Sequence, residues 1–297
     1  MIYLFIVSLL WAPSFGLVKN YLGGVDSNFV AAVRIVLSLA LFVPFIRVGG
    51  IAPRRLLLLA GIGAVQFGFM YVLYLRSFTW LKSSEVALFT IFTPLLVTLT
   101  NDVLERRISW LFIATAGLAV VGTGIIQWTE LERGGLLAGF LMMQLSNACF
   151  AVGQVLYRRV APGAGRPDHQ LMGILYLGAT VVALAFAASS VDFSAIRNIS
   201  PVQWVVLGYL GVIASGVGFF LFNAGARRVD VGALAIFNNV KVPLAILASV
   251  LFFGERVDAL RLIIGGAVIA LALAINEWAV RCRARNAELL RLGKEST

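Results

Sequence analysis

Ten apolar runs follow one another along this 297-residue chain, separated by short polar breaks. Each is about 20 residues long, the length of a helix that crosses a ~30 Å hydrocarbon core. They fall at residues 2–18, 28–46, 56–75, 84–101 and 109–128, then at 136–157, 170–189, 201–222, 231–253 and 259–279. We call them spans one to ten. Hydrophobic residues make up 60% of the chain and charged residues 13%, against ~25% charged in a soluble domain. An excess spread over the whole length cannot hide in one core. Soluble enzymes, disordered chains and disulfide scaffolds are therefore excluded, and the chain reads as an all-α integral membrane protein of ten transmembrane helices. The first run lacks a basic leading segment and a small-residue cleavage site, and it contains Trp11 and Pro13. It reads as a membrane helix and not as a signal peptide.

The net charge of +10 would suggest nucleic acid in a soluble protein. No stretch mixes basic and aromatic residues on a polar face, so no nucleic-acid partner is expected. The charge reads as topology, because Lys and Arg collect in cytoplasmic loops. With the N-terminus inside, the cytoplasmic loops and the tail hold fifteen cations, including Arg54, Arg55, Arg158, Arg159, Arg227 and Arg228. The outer loops hold seven, and Arg34 and Lys241 lie within spans. The expected location is the cytoplasmic (inner) membrane, multi-pass, with both termini cytoplasmic.

The two halves resemble each other. Glu105-Arg106 follows span four and Glu255-Arg256 follows span nine, 150 residues later; Trp128 and Trp278 stand 150 apart, and Pro94 and Pro243 149 apart. Trp11, Phe15 and Lys19 overlay Phe150, Gln154 and Arg158 at an offset of 139. Each half has five spans, an odd number, so the second enters the membrane from the opposite side. This is an inverted repeat, the arrangement many secondary transporters use for alternating access. The expected units are a first five-helix repeat over 1–129, a second over 135–280 and a cytoplasmic tail over 281–297.

In these features the chain resembles the drug/metabolite transporter superfamily, in its ten-helix EamA branch. The residues that carry the likeness are Phe29-Val-Ala-Ala-Val-Arg34, Pro94 with Glu105-Arg106, Pro243 with Phe252-Phe-Gly-Glu-Arg256, and Ile263-Ile-Gly-Gly-Ala-Val-Ile-Ala270. The resemblance covers nearly the whole chain. It implies a carrier of amino acids, amines, carboxylates or other metabolites, mostly outward, and it brings aromatic amino-acid exporters to mind as relatives.

Few polar residues interrupt the spans, and the cargo site is sought among them. Lys241 lies too deep in span nine for easy snorkelling, and a charge there costs at least about 2.5–3.5 kcal/mol. A substrate carboxylate would stabilise it, with Asn238 and Asn239 one turn away and Pro243 freeing nearby carbonyls. A structural lysine bonded to those carbonyls is the plainer alternative. Arg34 and Glu85, both near the outer ends of their spans, are expected to form a structural or gating pair, with direct substrate contact as the alternative. Trp11, with Ser14 and Phe15 beside it, joins Tyr71, Tyr74 and Phe150 as an aromatic wall, or else packs helices. Gln144, Asn147 and Gln154 fall on one face of span six and read as cavity lining. Pro94 and Pro243 are expected to kink spans four and nine. Small residues at Ala60, Ala64 and Gly68, and at Gly211 and Ser215, allow close helix contacts.

Cys149 and Cys282 make neither a disulfide framework nor a metal site, and the single His169, placed in a cytoplasmic loop, leaves no His-based chemistry. No nucleotide-binding motif occurs. No enzyme activity, cofactor or metal is expected. The function that follows is a secondary transporter exporting amino acids or similar small metabolites by alternating access, with spans one to four and six to nine lining the path. Expected partners are the small-molecule substrate and the lipid bilayer, with the protein a monomer or homodimer. A carrier of other organic anions, amines, or nucleotide- or phosphate-linked metabolites is the alternative within transport. An intramembrane enzyme and a channel are the alternatives outside it.

Overall fold

The computed structural model describes residues 2–106, 135–191, 195–228 and 244–254, with Val242 and scattered residues in 110–125 and 260–285. Among these are seven helices long and apolar enough to cross a membrane: Ile2–Tyr21, Ser27–Phe45, Pro53–Ser77, Ser83–Leu104, Leu136–Ala164, Asp168–Ser190 and Pro201–Ala226. They are spans one to four and six to eight. Leu244–Phe253 forms a shorter apolar helix within span nine. The helices outrun the apolar runs by a few residues because polar caps, which hydropathy does not count, extend their ends. Asp26 accepts from the backbone N–H groups of Asn28 and Phe29, both at 2.9 Å. Ser200 and Gln203 form a reciprocal capping box at the start of span eight. His169, expected in a loop, lies in the first turn of span seven.

Contacts between the halves come in exchanged pairs. Span two packs on the middle of span eight, and span seven packs on the middle of span three. Span one runs along span eight as span six runs along span three. Span six packs on span four, and Phe253 at the end of span nine lies against Gly16 of span one. Exchanging spans one to four with six to nine maps each contact onto another, which is the pseudo-two-fold relation of two five-helix repeats.

Missing side chains make the closest of these contacts possible. A Cβ on Gly63 would stand 1.9 Å from the Leu175 carbonyl oxygen, and one on Gly178 would stand 1.8 Å from that of Ala60. Spans three and seven therefore touch backbone to backbone, through the stripe expected from Ala60, Ala64 and Gly68. Gly211 does the same against span two, where its Cβ would meet Leu37 and the Arg34 backbone.

Three spans depart from regular α-helix in mid-membrane. Span three is π-wound over Ala64–Phe69 and span eight over Tyr209–Val217, at equivalent places in the two repeats. Span four breaks into a 3₁₀ turn over Thr90–Phe92 just before Pro94. Such mid-helix irregularities often sit at functional sites; Thr90 of the 3₁₀ turn lines the cavity described below, and Met70 and Phe219, just past the two π-wound segments, line it too.

Candidate functional site

Proline 94 begins the local architecture. It has no N–H to offer the carbonyl four residues back, which belongs to Thr90. The Thr93 hydroxyl donates to that oxygen at 2.7 Å, and the Thr90 hydroxyl donates to Ala87 O at 2.7 Å. The 3₁₀ turn also frees the Phe89 carbonyl, and Asn147 Nδ2 of span six donates to it at 2.8 Å. Gln144 supports the same junction, accepting from Asn147 at 3.3 Å and donating to Phe89 O at 3.4 Å.

The π-wound middle of span eight is tied down in a similar way. Carbonyls freed by the wider winding take side-chain donors from neighbouring spans. Trp11 Nε1 donates to Ala214 O at 2.7 Å, the Tyr176 hydroxyl to Ser215 O at 2.8 Å, and the Ser38 hydroxyl to Gly211 O at 2.8 Å.

Between these two irregular helices lies a small cavity of about 80 Å³. Its described walls come from spans one, two, three, four, six and eight: Trp11, Ser14, Phe15, Arg34, Met70, Tyr71, Tyr74, Thr90, Thr93, Met143, Ser146, Asn147, Phe150 and Phe219. It lies nearer the face where span one ends. Toward the opposite face, the described residues of spans one, three, seven and eight pack together. Phe67 stacks on Tyr176 at 5.0 Å, Gln66 Nε2 donates to Asn223 Oδ1 at 3.2 Å, and Leu4 is buried beside Gly225. Trp11 and Phe150, overlaid by the internal repeat, flank the same two rings of span eight. Trp11 stands 4.9 Å from Phe219 and 5.4 Å from Phe222, and Phe150 stands 5.7 Å and 5.3 Å from them.

Arg34 is the one cation in this wall among the described residues. It is 3% exposed. Its Nη2 donates to the Tyr71 hydroxyl at 2.8 Å and its Nε to Ser215 Oγ at 3.2 Å, while its guanidinium carbon sits 4.4 Å from the Tyr71 ring centre. Ser215 passes its own proton to Leu210 O at 2.6 Å, so Tyr71 is the donor in the 2.7 Å contact with Ser215. Arg34 Nη1 is buried with no hydrogen-bond partner. A buried charged donor left unmade is costly, and this one belongs to a residue of an aromatic cavity wall. The arrangement suits an anionic group on an otherwise apolar ligand.

Most of the expected site residues meet here: Trp11, Ser14, Phe15, Tyr71, Tyr74, Asn147, Phe150 and Arg34. Others do not. The expected Arg34–Glu85 pair is not formed, because Arg34 turns to Tyr71 and Ser215. Glu85 instead accepts from the Lys82 N–H at 2.8 Å and caps the start of span four. Gln144 braces the span-four break behind the wall, and Gln154 is buried outside the cavity lining. Span seven, expected along the path, packs behind spans two and three and gives the lining no residue. Lys241, Asn238, Asn239 and Pro243 lie outside the described residues. Residues that sequence reasoning passed over include Met70, Met143, Ser146 and Phe219, and also Thr90 and Thr93, whose positions just before Pro94 were the available signal.

A second, wider concavity opens at the face where span one begins, and each of its arginines has a local partner. Arg227 pairs with Asp168 at 2.6 Å, Arg228 lies 5.1 Å from the Tyr3 ring centre, and Arg166 donates to the Gly49 carbonyl. Burial pulls the Arg227 guanidinium down, but the Asp168 carboxylate outweighs it and holds the group above the usual arginine range.

Comparison with known proteins places this geometry. The EamA-like transporter family matches residues 1–128 and again 137–277. A probable biotin transporter of Pseudomonas aeruginosa is 40% identical over 92% of this chain and 96% of its own. Biotin transporters of Salmonella typhimurium and Escherichia coli are each 38% identical; they cover 96% and 93% of this chain and 96% and 92% of their own. A protein crystal structure 20% identical to the chain superposes with a TM-score of 0.67 over 94% of this chain and 98% of its own, a likeness of fold. None of these relatives is named for amino-acid export, so the expected amino-acid cargo gains no support. Two matched repeats and near full-length relatives lead to one conclusion: the chain is a multi-pass membrane transporter, not an enzyme, and it belongs to the EamA-like family of the drug/metabolite transporter superfamily.

Proposed function

We propose that this carrier moves biotin, or a compound of the same chemistry, across the cytoplasmic membrane, and that the Arg34 cavity is its binding site. Biotin has a carboxylate on a flexible apolar tail and a compact bicyclic head bearing a cyclic urea. The observation that carries the reading is the unpartnered Nη1 of Arg34 in a wall whose other residues are aromatic, thioether, hydroxyl or amide and carry no charge. A carboxylate would take that donor, while Trp11, Phe15, Tyr74, Phe150 and Phe219 cover the apolar body of the ligand. The names of the relatives favour biotin over amino acids, whose ammonium group has no anionic counterpart among the described wall residues.

With the N-terminus in the cytoplasm, as the loop cations suggest, the cavity lies nearer the outer face. Substrate would enter from outside, and separation of spans one and eight near Leu4 and Gly225 would release it inside. We take the direction as uptake, which is the direction of the test below and the reverse of the export expected from sequence. The test is uptake of labelled biotin by cells lacking their own biotin transporter. Cells expressing this chain should accumulate label that unlabelled biotin competes away. Label no higher than in empty cells, with the protein present in the membrane, rejects the assignment.

A further inference from the structure

Each serine and threonine hydroxyl in the cavity wall has committed its proton to a backbone carbonyl. Ser14 donates to Leu10 O at 3.1 Å, Ser146 to Met70 O at 2.9 Å, and Thr90 and Thr93 donate as described above. Asn147 follows the same rule. Because a carbonyl only accepts, the amide nitrogen must face Phe89, and the amide oxygen is left over. A hydroxyl whose proton is spent still has acceptor lone pairs. Toward a ligand, these five side chains therefore present acceptors.

This acceptor set is concentrated on spans four and six, at the break before Pro94. Arg34 faces the cavity from span two, which packs on spans three, seven and eight. The site thus has two poles of opposite character. Resting on the biotin reading above, we propose that Thr90, Thr93 and Asn147 form a subsite that recognises ligand N–H groups. The cyclic urea of the substrate docks there with its two N–H donors, while its carboxylate reaches Arg34. Pro94 is then a specificity device, because the break it imposes turns these three side chains into acceptors.

The consequence is selectivity for the urea over an isosteric head without N–H groups. A suitable probe is the analogue in which both urea N–H groups are replaced by oxygen, giving a cyclic carbonate of nearly the same shape. Equilibrium binding of labelled biotin, and its displacement by the carbonate, would be measured on the purified full-length carrier. Wild type should bind biotin about tenfold or more tightly than the carbonate, the scale of leaving buried polar groups unpaired. In the double variant Thr90→Val, Thr93→Val, which preserves shape, the gap should shrink to about threefold or less, chiefly through weaker biotin binding. A thermal melt would report the folding of that variant. A wild-type protein that binds the two ligands equally overturns the subsite without any variant being needed. A gap that persists in a folded variant overturns it as well. Failure of wild type to bind biotin rejects the underlying reading too, and so is distinguishable from both.

Discussion

Replacing Arg34 by methionine separates a substrate-binding arginine from a structural one. Methionine fills much of the same volume but removes the charge and every donor. Two existing hydrogen bonds disappear, to Tyr71 and Ser215, yet those partners remain bonded to each other at 2.7 Å and Ser215 keeps Leu210 O. The ligand-free protein also sheds a buried donor that had no partner. Removing a charged group from an apolar site is often neutral or stabilising, so the melting temperature without ligand should hold or rise. Binding should change far more. A hydrogen bond to a charged group contributes about 1.5–3 kcal/mol, which is a loss of roughly tenfold to 150-fold in biotin affinity. Biotin methyl ester, which has no charge to pair, should bind wild type and variant within about threefold of each other. Isothermal titration with both ligands supplies the four numbers needed. If Arg34→Met binds free biotin as tightly as wild type, Arg34 is not the carboxylate site. If acid and ester weaken together in a destabilised protein, Arg34 is structural.

Three further outcomes follow from other parts of the fold. An ideal Cβ on Gly225 would lie 3.4 Å from that of Tyr3, close to disulfide geometry. Tyr3→Cys with Gly225→Cys should therefore cross-link under oxidation, stop transport while leaving biotin binding intact, and recover on reduction; transport unchanged in the cross-linked protein refutes the gate. Gly178→Leu would drive a side chain into the Ala60 carbonyl, and should lower stability by about 3 kcal/mol or more, read as a clear drop in melting temperature of the purified protein. Pro94→Ala should let span four close its regular hydrogen bonds and withdraw Phe89 O from Asn147. Biotin affinity should fall several-fold with expression unchanged, and full activity in that variant would show the break to be incidental.

The membrane spans and their small-residue seams were legible because hydropathy and residue size act locally. So was most of the aromatic wall. Trp11 stood too deep for an interfacial tryptophan, and the repeat offset paired it with Phe150, which the fold places against the same rings of span eight. Partner choice was less legible. Arg34 and Glu85 look like natural partners in apolar sequence, but span eight brings Ser215 within reach of Arg34, and a helix start next to Glu85 offers it a nearer donor. The helical spacing of Asn147 points to cavity lining, where it does lie, but its amide nitrogen is engaged by a carbonyl that only the 3₁₀ turn frees. The π-wound segments have no sequence signature of their own, because they arise from how the helices pack. They nonetheless decide which carbonyls need donors, and hence which hydroxyls can still accept from a ligand.

The most direct test of the central claim is counterflow. Proteoliposomes containing the purified chain, preloaded with unlabelled biotin, would be diluted into trace labelled biotin. A carrier with an alternating biotin site should draw label in transiently above equilibrium, and Arg34→Met should abolish that overshoot. Absence of an overshoot with biotin in active vesicles, or the same overshoot with Arg34→Met, would contradict the account.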